Sequence, residues 1–397
     1  MNRVAYVSTD PGVPVFGRKG ASVHVQAVVR ELLRRGAEVH LIAARVGGDL
    51  PHDLEGVVLH ELPKITGTPG QAREASAQHS ARTAVDVLAR LHHDAPLDLV
   101  YERYSLWSDA AMGWARDHAV AGVLEVNAPL IDEQAEHRVL ADRGAAEAVA
   151  TRAFGAAASV VTVSGPVADW VAARTGNRSV HVVPNGVDTR HVRPSASIPE
   201  TRGFTVGFVG TLKPWHGVEV LLDAFARLAR TDTSTRLRIV GDGPQREMLE
   251  AQAVALDVRD RVDLVGAVAP EEMPAQLAEM DVAVAPYPHL PDFYFSPLKI
   301  YEYLAAGLPV VASNVGPCSD ILDGGGLGVL VTPGDSTDLA AALAGLRSDP
   351  HLRAELGQAG RRAAVTSHDW SLVVSRILAT LPSRTTSLAN DLLGRTA

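Results

Sequence analysis

Cysteine is nearly missing from this sequence: Cys318 is the only one in 397 residues. One thiol excludes an internal disulfide, and a lone cysteine reads as a small buried hydrophobe before it reads as a nucleophile. Lysine is scarce as well, at Lys19, Lys64, Lys213 and Lys299. There is no basic excess; the formal net charge is -9 at pH 7. A nucleic-acid binder normally carries a basic footprint, so that class is set aside. No apolar run approaches membrane-spanning length. The chain opens directly on the strand-like VAYVST with no leader pattern, so the expectation is a cytoplasmic protein without a stable membrane anchor.

What is present is ample core material, 46% hydrophobic residues over a length too great for one compact core. Two domains are the natural reading, and the chain pattern repeats to match. Val4 to Ser8 reads as a buried strand. The Pro/Gly-rich loop DPGVPVFGRKG follows, then a helix from about Ala21 to Arg35 with Val25, Val28, Val29, Leu32 and Leu33 on one stripe. Gly36 stops it, and Val39 to Ala43 is the next strand. This order is a crossover unit of a parallel sheet. Strands at Leu97–Tyr101 and Gly122–Val126 lead into Glu102, Arg103 and Asn127, with Glu125 near the second strand's end. Ligands of open α/β sheets bind at the carboxyl ends of strands, so these are candidate site residues; the alternative is surface punctuation. The turn Pro184-Asn185-Gly186-Val187-Asp188 then closes the first half. The second half restarts with a strand at Thr205–Val209, Gly210, the loop TLKPWHG and a helix from Val218. Leu237–Val240 ends in Gly241-Asp242-Gly243-Pro244.

The stretch Pro291 to Ser313, PDFYFSPLKIYEYLAAGLPVVAS, organises the second half. Ser296 stands where an N-cap belongs, and Pro297 at the first helical position. Gly307 ends the helix, and Leu308 to Ala312 reads as a doubly covered strand. A loop running into a helix N-terminus is an anion site, because the first N–H groups are unpaired and the dipole is positive there. Lys299 adds a full charge to that pole, and Glu302 lies one turn in, within reach of a sugar hydroxyl. The competing reading is an ordinary strand–loop–helix unit.

This stretch resembles the signature of retaining glycosyltransferases of family 4, with the GT-B fold. Glu302 matches the second Glu of the E-x7-E pattern, just before YLAAGLPVV, while Tyr294 occupies the first Glu position. Ser296-Pro297-Leu298-Lys299 corresponds to the S-P-L-K variant of one branch. The resemblance covers nearly the whole chain and implies α/β architecture: two Rossmann-like domains with parallel sheets facing a cleft. Residues 1–188 would form the acceptor domain and 189–380 the donor domain, with a tail from about 381 to 397 crossing back onto the first.

The resemblance also assigns roles. Gly20, Gly210, Lys213, Gly241, Val268, Ser296, Pro297, Leu298, Lys299 and Glu302 would hold a nucleotide-sugar, with UDP favoured. Glu102, Arg103, Asn127 and His24 would face the acceptor; for His24 the alternative is a solvated helix residue. Lys213, Lys299 and Glu125 would act in catalysis. Relatives commonly carry Arg after the first loop glycine and Lys before the second. Here those places hold Thr211 and His216, leaving Lys213 between them. No two aspartates are separated by one residue, so the D-x-D metal clamp is missing and no metal is expected. No cofactor is expected either, the nucleotide-sugar being a co-substrate. The partners expected are that donor and a small soluble acceptor, with the chain a monomer or homodimer.

The acceptor is expected to be cationic, such as an amino sugar or aminocyclitol of a natural-product pathway. Asp10, Glu102, Glu125, Asp132, Glu133 and Glu136 would attract an ammonium, Glu102 and Glu125 at buried strand ends foremost; the alternative, favoured for Asp132, Glu133 and Glu136, is a solvated helix face. The helix Gln71–His92 lacks the polybasic surface suited to an anionic lipid. A polysaccharide or lipid-linked acceptor is the alternative. Rival classes are a GT-B epimerase or phosphorylase, which lacks this signature, and a non-catalytic nucleotide-sugar sensor.

Overall fold

The computed structural model describes residues 3–176, 180–195, 203–290 and 292–382. Pro291, which opens the organising stretch, and the tail beyond 382 lie outside the described residues. The chain divides into two compact units, Met1–Pro184 with Trp370–Ala397, and Asn185–Asp369. The expected division at 188/189 thus falls four residues beyond the observed change, and the chain rejoins the first unit at Trp370 rather than near 381.

The first unit is built on β1 (Arg3–Ser8), β2 (Glu38–Ala43), β3 (Val57–Glu61), β4 (Leu99–Arg103), β5 (Ala121–Val126), β6 (Ser159–Thr162) and β7 (Val180–Val182). They form one parallel sheet in the order β3-β2-β1-β4-β5-β6-β7. Strands β1 and β5 are buried almost throughout, as their continuous apolar runs require. Helix Gly20–Arg34 buries Val25, Val28, Val29 and Leu32, the stripe read from the sequence. Helix Trp370–Ala379 packs against it. The buried Arg35 joins the two by donating to the Ser371 carbonyl and to Ser375 Oγ at 2.8 Å. Glu102 and Arg103 lie inside β4, and Glu125 inside β5.

The second unit is built on β8 (Thr205–Val209), β9 (Arg236–Val240), β10 (Val262–Gly266), β11 (Val282–Ala285), β12 (Val310–Ser313) and β13 (Gly328–Val331), in the order β10-β9-β8-β11-β12-β13. All of its strand pairs are parallel. In both sheets the order reverses beside the first strand, between β1 and β4 and between β8 and β11. A crevice opens at such a point because the two flanking connections leave in opposite directions. Strands β8 and β11 pair only through Val206↔Val282 and Gly207↔Ala283. Beyond that pairing, the Tyr303 hydroxyl accepts from Val209 N at 2.8 Å and lies 3.4 Å from the Val284 carbonyl. One side chain thus ties helix Leu298–Ala305 to both strands at the reversal.

That helix begins at Leu298, not at Ser296. Pro297 occupies the N-cap position in an extended conformation. Ser296 Oγ is used elsewhere: it accepts from Asn185 N at 3.2 Å, while the Asn185 amide donates to the Ser296 carbonyl at 2.8 Å. The helix ends as expected. Gly307 has φ 70, and the N–H groups of Gly307 and Leu308 return to the carbonyls of Leu304 and Tyr303. This paired closure needs a left-handed residue at the position glycine fills.

Candidate active site

In the first unit the polar groups gather where β1, β4 and β5 end. Parallel register sets Tyr6 beside Tyr101, and Ser8, Arg103 and Glu125 in a row one step further along. These five share one face of the sheet. Tyr6 and Tyr101 stack with ring centres 5.1 Å apart. Helix Gly20–Arg34 lays His24 on Glu125, with Nε2 2.7 Å from Oε1, and the Trp370 ring meets the imidazole edge-on at 4.9 Å. His24 is therefore buried, not the solvated helix residue considered above. Burial pushes Glu125 up, but His24 and then Arg103 and Tyr101 hold its carboxyl below the usual range.

Glu102 lies on the opposite face, paired in register with Val7 and Leu124. Ser108 Oγ donates to its Oε1. Burial pushes its carboxyl up to about 7 against that bond, with Asp109 adding to the rise. The two carboxylates proposed to share one acceptor site therefore sit on different faces of the sheet. Asp132 is already engaged: it pairs with Arg143, lies 3.4 Å from Arg174 and accepts from Trp170 Nε1 at 2.6 Å. Asp10 holds the Gly12 N–H.

Buried atoms without hydrogen-bond partners remain in the same region. They are Glu102 Oε2, Glu125 Oε2, Arg103 Nη1 and both amide atoms of Asn127. Each such group costs about 1–3 kcal/mol when left unmet, so a polar ligand here gains from meeting them. Gly20 opens the helix after the glycine loop and is exposed. No side chain caps that helix; Lys19 occupies the N-cap position.

In the second unit Gly210 follows β8 at the reversal, with φ 150. Its missing side chain makes room for Lys299, since a Cβ there would lie 2.8 Å from Nζ. Lys299 is 8% exposed, and burial pushes its ammonium down to about 7 against the opposing pull of Glu302 and Cys318. Glu302, one turn on, is pushed up to about 7 by burial, partly offset by Lys299. Lys213 is placed differently. Its Nζ lies 4.5 Å from the centre of the Trp215 ring, and Trp215 is 37% exposed. Gly241 packs on the Gly210 backbone: a Cβ there would lie 2.0 Å from the Gly210 carbonyl oxygen. Val268 is half-buried after β10, and Pro297 and Leu298 lead into the helix.

Sequence reasoning missed two partners. Trp370 reaches His24 across nearly the whole chain length, and no local pattern announces such a contact. His216 appeared only as a departure from the family pattern, yet its Nδ1 faces Gly210 beside Lys299. Among the described residues no group of three His, Cys, Asp or Glu is arranged to hold a metal, and no helix is long and apolar enough to cross a membrane.

Residues 18–191 match the family model described as Glycosyltransferase Family 4, and residues 203–349 match Glycosyl transferases group 1. Each half of the chain thus matches a glycosyltransferase family model. It is 32% identical over 219 residues to a glycogen synthase of Mycobacterium tuberculosis, covering 55% of this chain and 52% of that protein. It is 30% identical over 215 residues to a 2-deoxystreptamine glucosyltransferase of Streptomyces kanamyceticus, covering 51% and 54%. The chain thus spans about half the length of these curated relatives. A longer match is the D-inositol 3-phosphate glycosyltransferase of Geodermatophilus obscurus, 29% identical over 93% of this chain and 85% of that protein. In fold it is similar to the sucrose-phosphate synthase of Thermosynechococcus elongatus, with TM-score 0.75, 18% identity and coverage of 98% and 100%. Anabaena HepE in complex with UDP gives TM-score 0.69, 20% identity and coverage of 96% and 99%. Two parallel-sheet α/β domains with such neighbours define the GT-B fold.

Proposed function

We propose that the chain is a retaining, metal-independent glycosyltransferase that moves a sugar from a nucleoside-diphosphate sugar, UDP favoured, to a small soluble acceptor. The observation that carries this reading is Lys299, a buried cation without a hydrogen-bond acceptor, at Gly210 where the second sheet reverses. A sugar diphosphate supplies the anion this position lacks. The second unit, Asn185–Asp369, binds the donor through Gly210, Gly241, Val268, the segment Ser296–Lys299 and Glu302. The first unit binds the acceptor through His24, Arg103, Asn127 and Glu125; Glu102, on the opposite face of the sheet, stands apart from that group. Ser296 contributes by holding its loop on Asn185.

In the reaction the acceptor oxygen attacks the anomeric carbon on the face the leaving group departs from. The carbon–oxygen bond to the diphosphate breaks. The acceptor's proton passes to the departing phosphate oxygen, giving a glycoside and a nucleoside diphosphate. Lys299, with Lys213 nearby on its loop, offsets the charge that grows on the leaving group. The narrower reading is an amine-bearing acceptor of antibiotic or other secondary metabolism. The 2-deoxystreptamine relative and the Glu125 Oε2 oxygen, which has no hydrogen-bond partner, support it. Incubation with UDP-, GDP- and ADP-sugars, with detection of released nucleoside diphosphate, tests the activity; no release from any donor at any acceptor counts against it. A thermal-shift screen of the same donors separates a transferase from a non-catalytic sensor when read beside turnover.

A further inference from the structure

Two nitrogens without hydrogen-bond partners face the same open side of Gly210. A Cβ built on that glycine would lie 2.8 Å from Lys299 Nζ and 3.2 Å from His216 Nδ1. Aromatic faces enclose Nζ in place of acceptors: the Phe208 ring centre is 4.1 Å away and that of Tyr287 5.4 Å. His216 stands edge-on to Tyr287 at 6.1 Å and tilted to Phe208 at 6.1 Å. The chain has built an aromatic cage around its own lysine.

The titratable groups facing this point come from every element around it. Glu302 and Tyr303 lie on the helix of Lys299, Tyr287 follows β11, His216 and Lys213 lie on the loop after β8, and Cys318 opens the short helix after β12. Lys299 Nζ makes a hydrogen bond to none of them. Aromatic faces stabilise a desolvated ammonium by about 2 kcal/mol. Removing it from water costs several kcal/mol, so an ammonium held only by rings tends to release its proton. Burial brings Lys299 down to about 7. Burial and then Lys299 bring His216 down to about 3, against the Thr211 carbonyl, so the imidazole stays neutral and contributes no second charge.

Resting on the donor reading above, we infer that Lys299 and His216 form a proton-linked anion subsite: the donor diphosphate enters beside Gly210, and Lys299 takes up one proton from solvent as it binds. The caged lysine is largely neutral above neutral pH and becomes an ammonium when phosphate oxygens replace the rings as its partners. His216 stays neutral and keeps the pocket polar without competing with Lys299 for that proton. The proton comes from water or buffer, and no covalent bond changes.

The sign follows from linkage. Binding raises the lysine's affinity for its proton, so donor affinity is full below about pH 7 and falls about tenfold per pH unit above it, until the pKa of the bound state is reached. The test is calorimetric titration with UDP-glucose, GDP-mannose and ADP-glucose between about pH 6 and 9. These diphosphate diesters keep a constant phosphate charge over that range. Two buffers of different ionisation enthalpy count the protons exchanged. The expected result is uptake approaching one proton per donor near pH 8, vanishing near pH 6. Lys299→Met should abolish both the uptake and the pH slope, and Lys299→Arg should abolish the uptake while keeping a charge; exposed Lys64→Met should behave as wild type. Binding with no proton exchange and flat affinity overturns the inference and leaves the transferase reading standing. Unchanged uptake in folded Lys299→Met also overturns it. Failure of all three donors to bind even near pH 6 overturns the donor reading and this inference with it.

Discussion

His24 Nε2 and Glu125 Oε1 meet at 2.7 Å, both side chains almost wholly withdrawn from solvent. The contact joins helix Gly20–Arg34 to β5, and Trp370 closes over it from the helix that rejoins the first unit. A buried polar pair in such a place contributes little against an apolar replacement, yet removing one member leaves the other without its partner. His24→Ala should therefore destabilise the first unit by about 3–5 kcal/mol, read by urea unfolding. Glu125→Gln keeps the shape and should cost less, about 1–2 kcal/mol. Because the Glu125 carboxyl is held low, its contribution is present above the unfolded value and lost as pH falls through the folded one. A wild-type stability that does not drop more steeply in acid than that of Glu125→Gln would contradict this.

Glu102 predicts the opposite pH effect. Its folded carboxyl is raised to about 7, so the folded state holds a proton that the unfolded state releases above about pH 4.3. Stability from this group is full below that value and falls as pH rises toward 7. Glu102→Gln should match wild type near pH 4 and exceed it by up to about 3 kcal/mol near pH 8. Equal stabilities at both pH values would refute the assignment.

The fold was largely legible because its strands are continuous apolar runs ended by glycine or polar residues, and doubly covered strands need no alternation. Thr205–Val209 and Val310–Ser313 are of this kind. The site was legible only where local sequence sets position. Lys299 and Gly210 were singled out from a loop–helix start and a strand end, and the structure brings the two together. The N-cap reading of Ser296 failed because a tertiary contact with Asn185 took its hydroxyl. Grouping Glu102 with Glu125 failed for a different reason: a one-residue offset in register sends them to opposite faces. His216 and Trp370 matter through distant partners that no spacing rule reveals.

The two lysines given one role in the sequence are unequal in place. Lys299→Met should lower turnover by about 10²–10³, the loss expected when a preorganised charge at a leaving group is removed. Lys213 lies over an exposed ring and keeps contact with water, so Lys213→Ala should cost less, about tenfold or below. Glu302→Gln should weaken donor binding by about 1.5–3 kcal/mol with a smaller change in turnover. Steady-state kinetics and calorimetry on the three variants decide the order; equal losses for the two lysines would overturn it.

Transfer should proceed in excess chelator. The sequence lacks the aspartate spacing of a metal clamp, and Lys299 is available to offset the leaving-group charge. Loss of turnover in chelator, restored by magnesium, would refute metal independence.

The acceptor is the widest remaining choice, and the first unit narrows it by what is already neutralised. Asp132 is spent on Arg143, Arg174 and Trp170, and one oxygen of Glu125 on His24. Glu133 and Glu136 lie on the flank of helix Leu130–His137 and are partly or fully exposed. An ammonium would therefore find its partner in Glu125 Oε2, since Glu102 faces the other side of the sheet. A hydroxyl-rich neutral acceptor would instead use the Asn127 amide and Arg103 Nη1. A panel of aminocyclitols, neutral sugars and phosphoinositol lipids at one fixed donor distinguishes these. The expected outcome is preference for the aminocyclitols, with Glu125→Gln raising amine-acceptor KM about tenfold or more, the loss of one charge-assisted bond, while neutral-sugar KM moves little and Glu102→Gln, on the other face, changes neither. Glycosylation of the lipid alone, or an amine-acceptor KM unchanged in Glu125→Gln, would end the cationic-acceptor reading and leave the neutral or lipid-linked one.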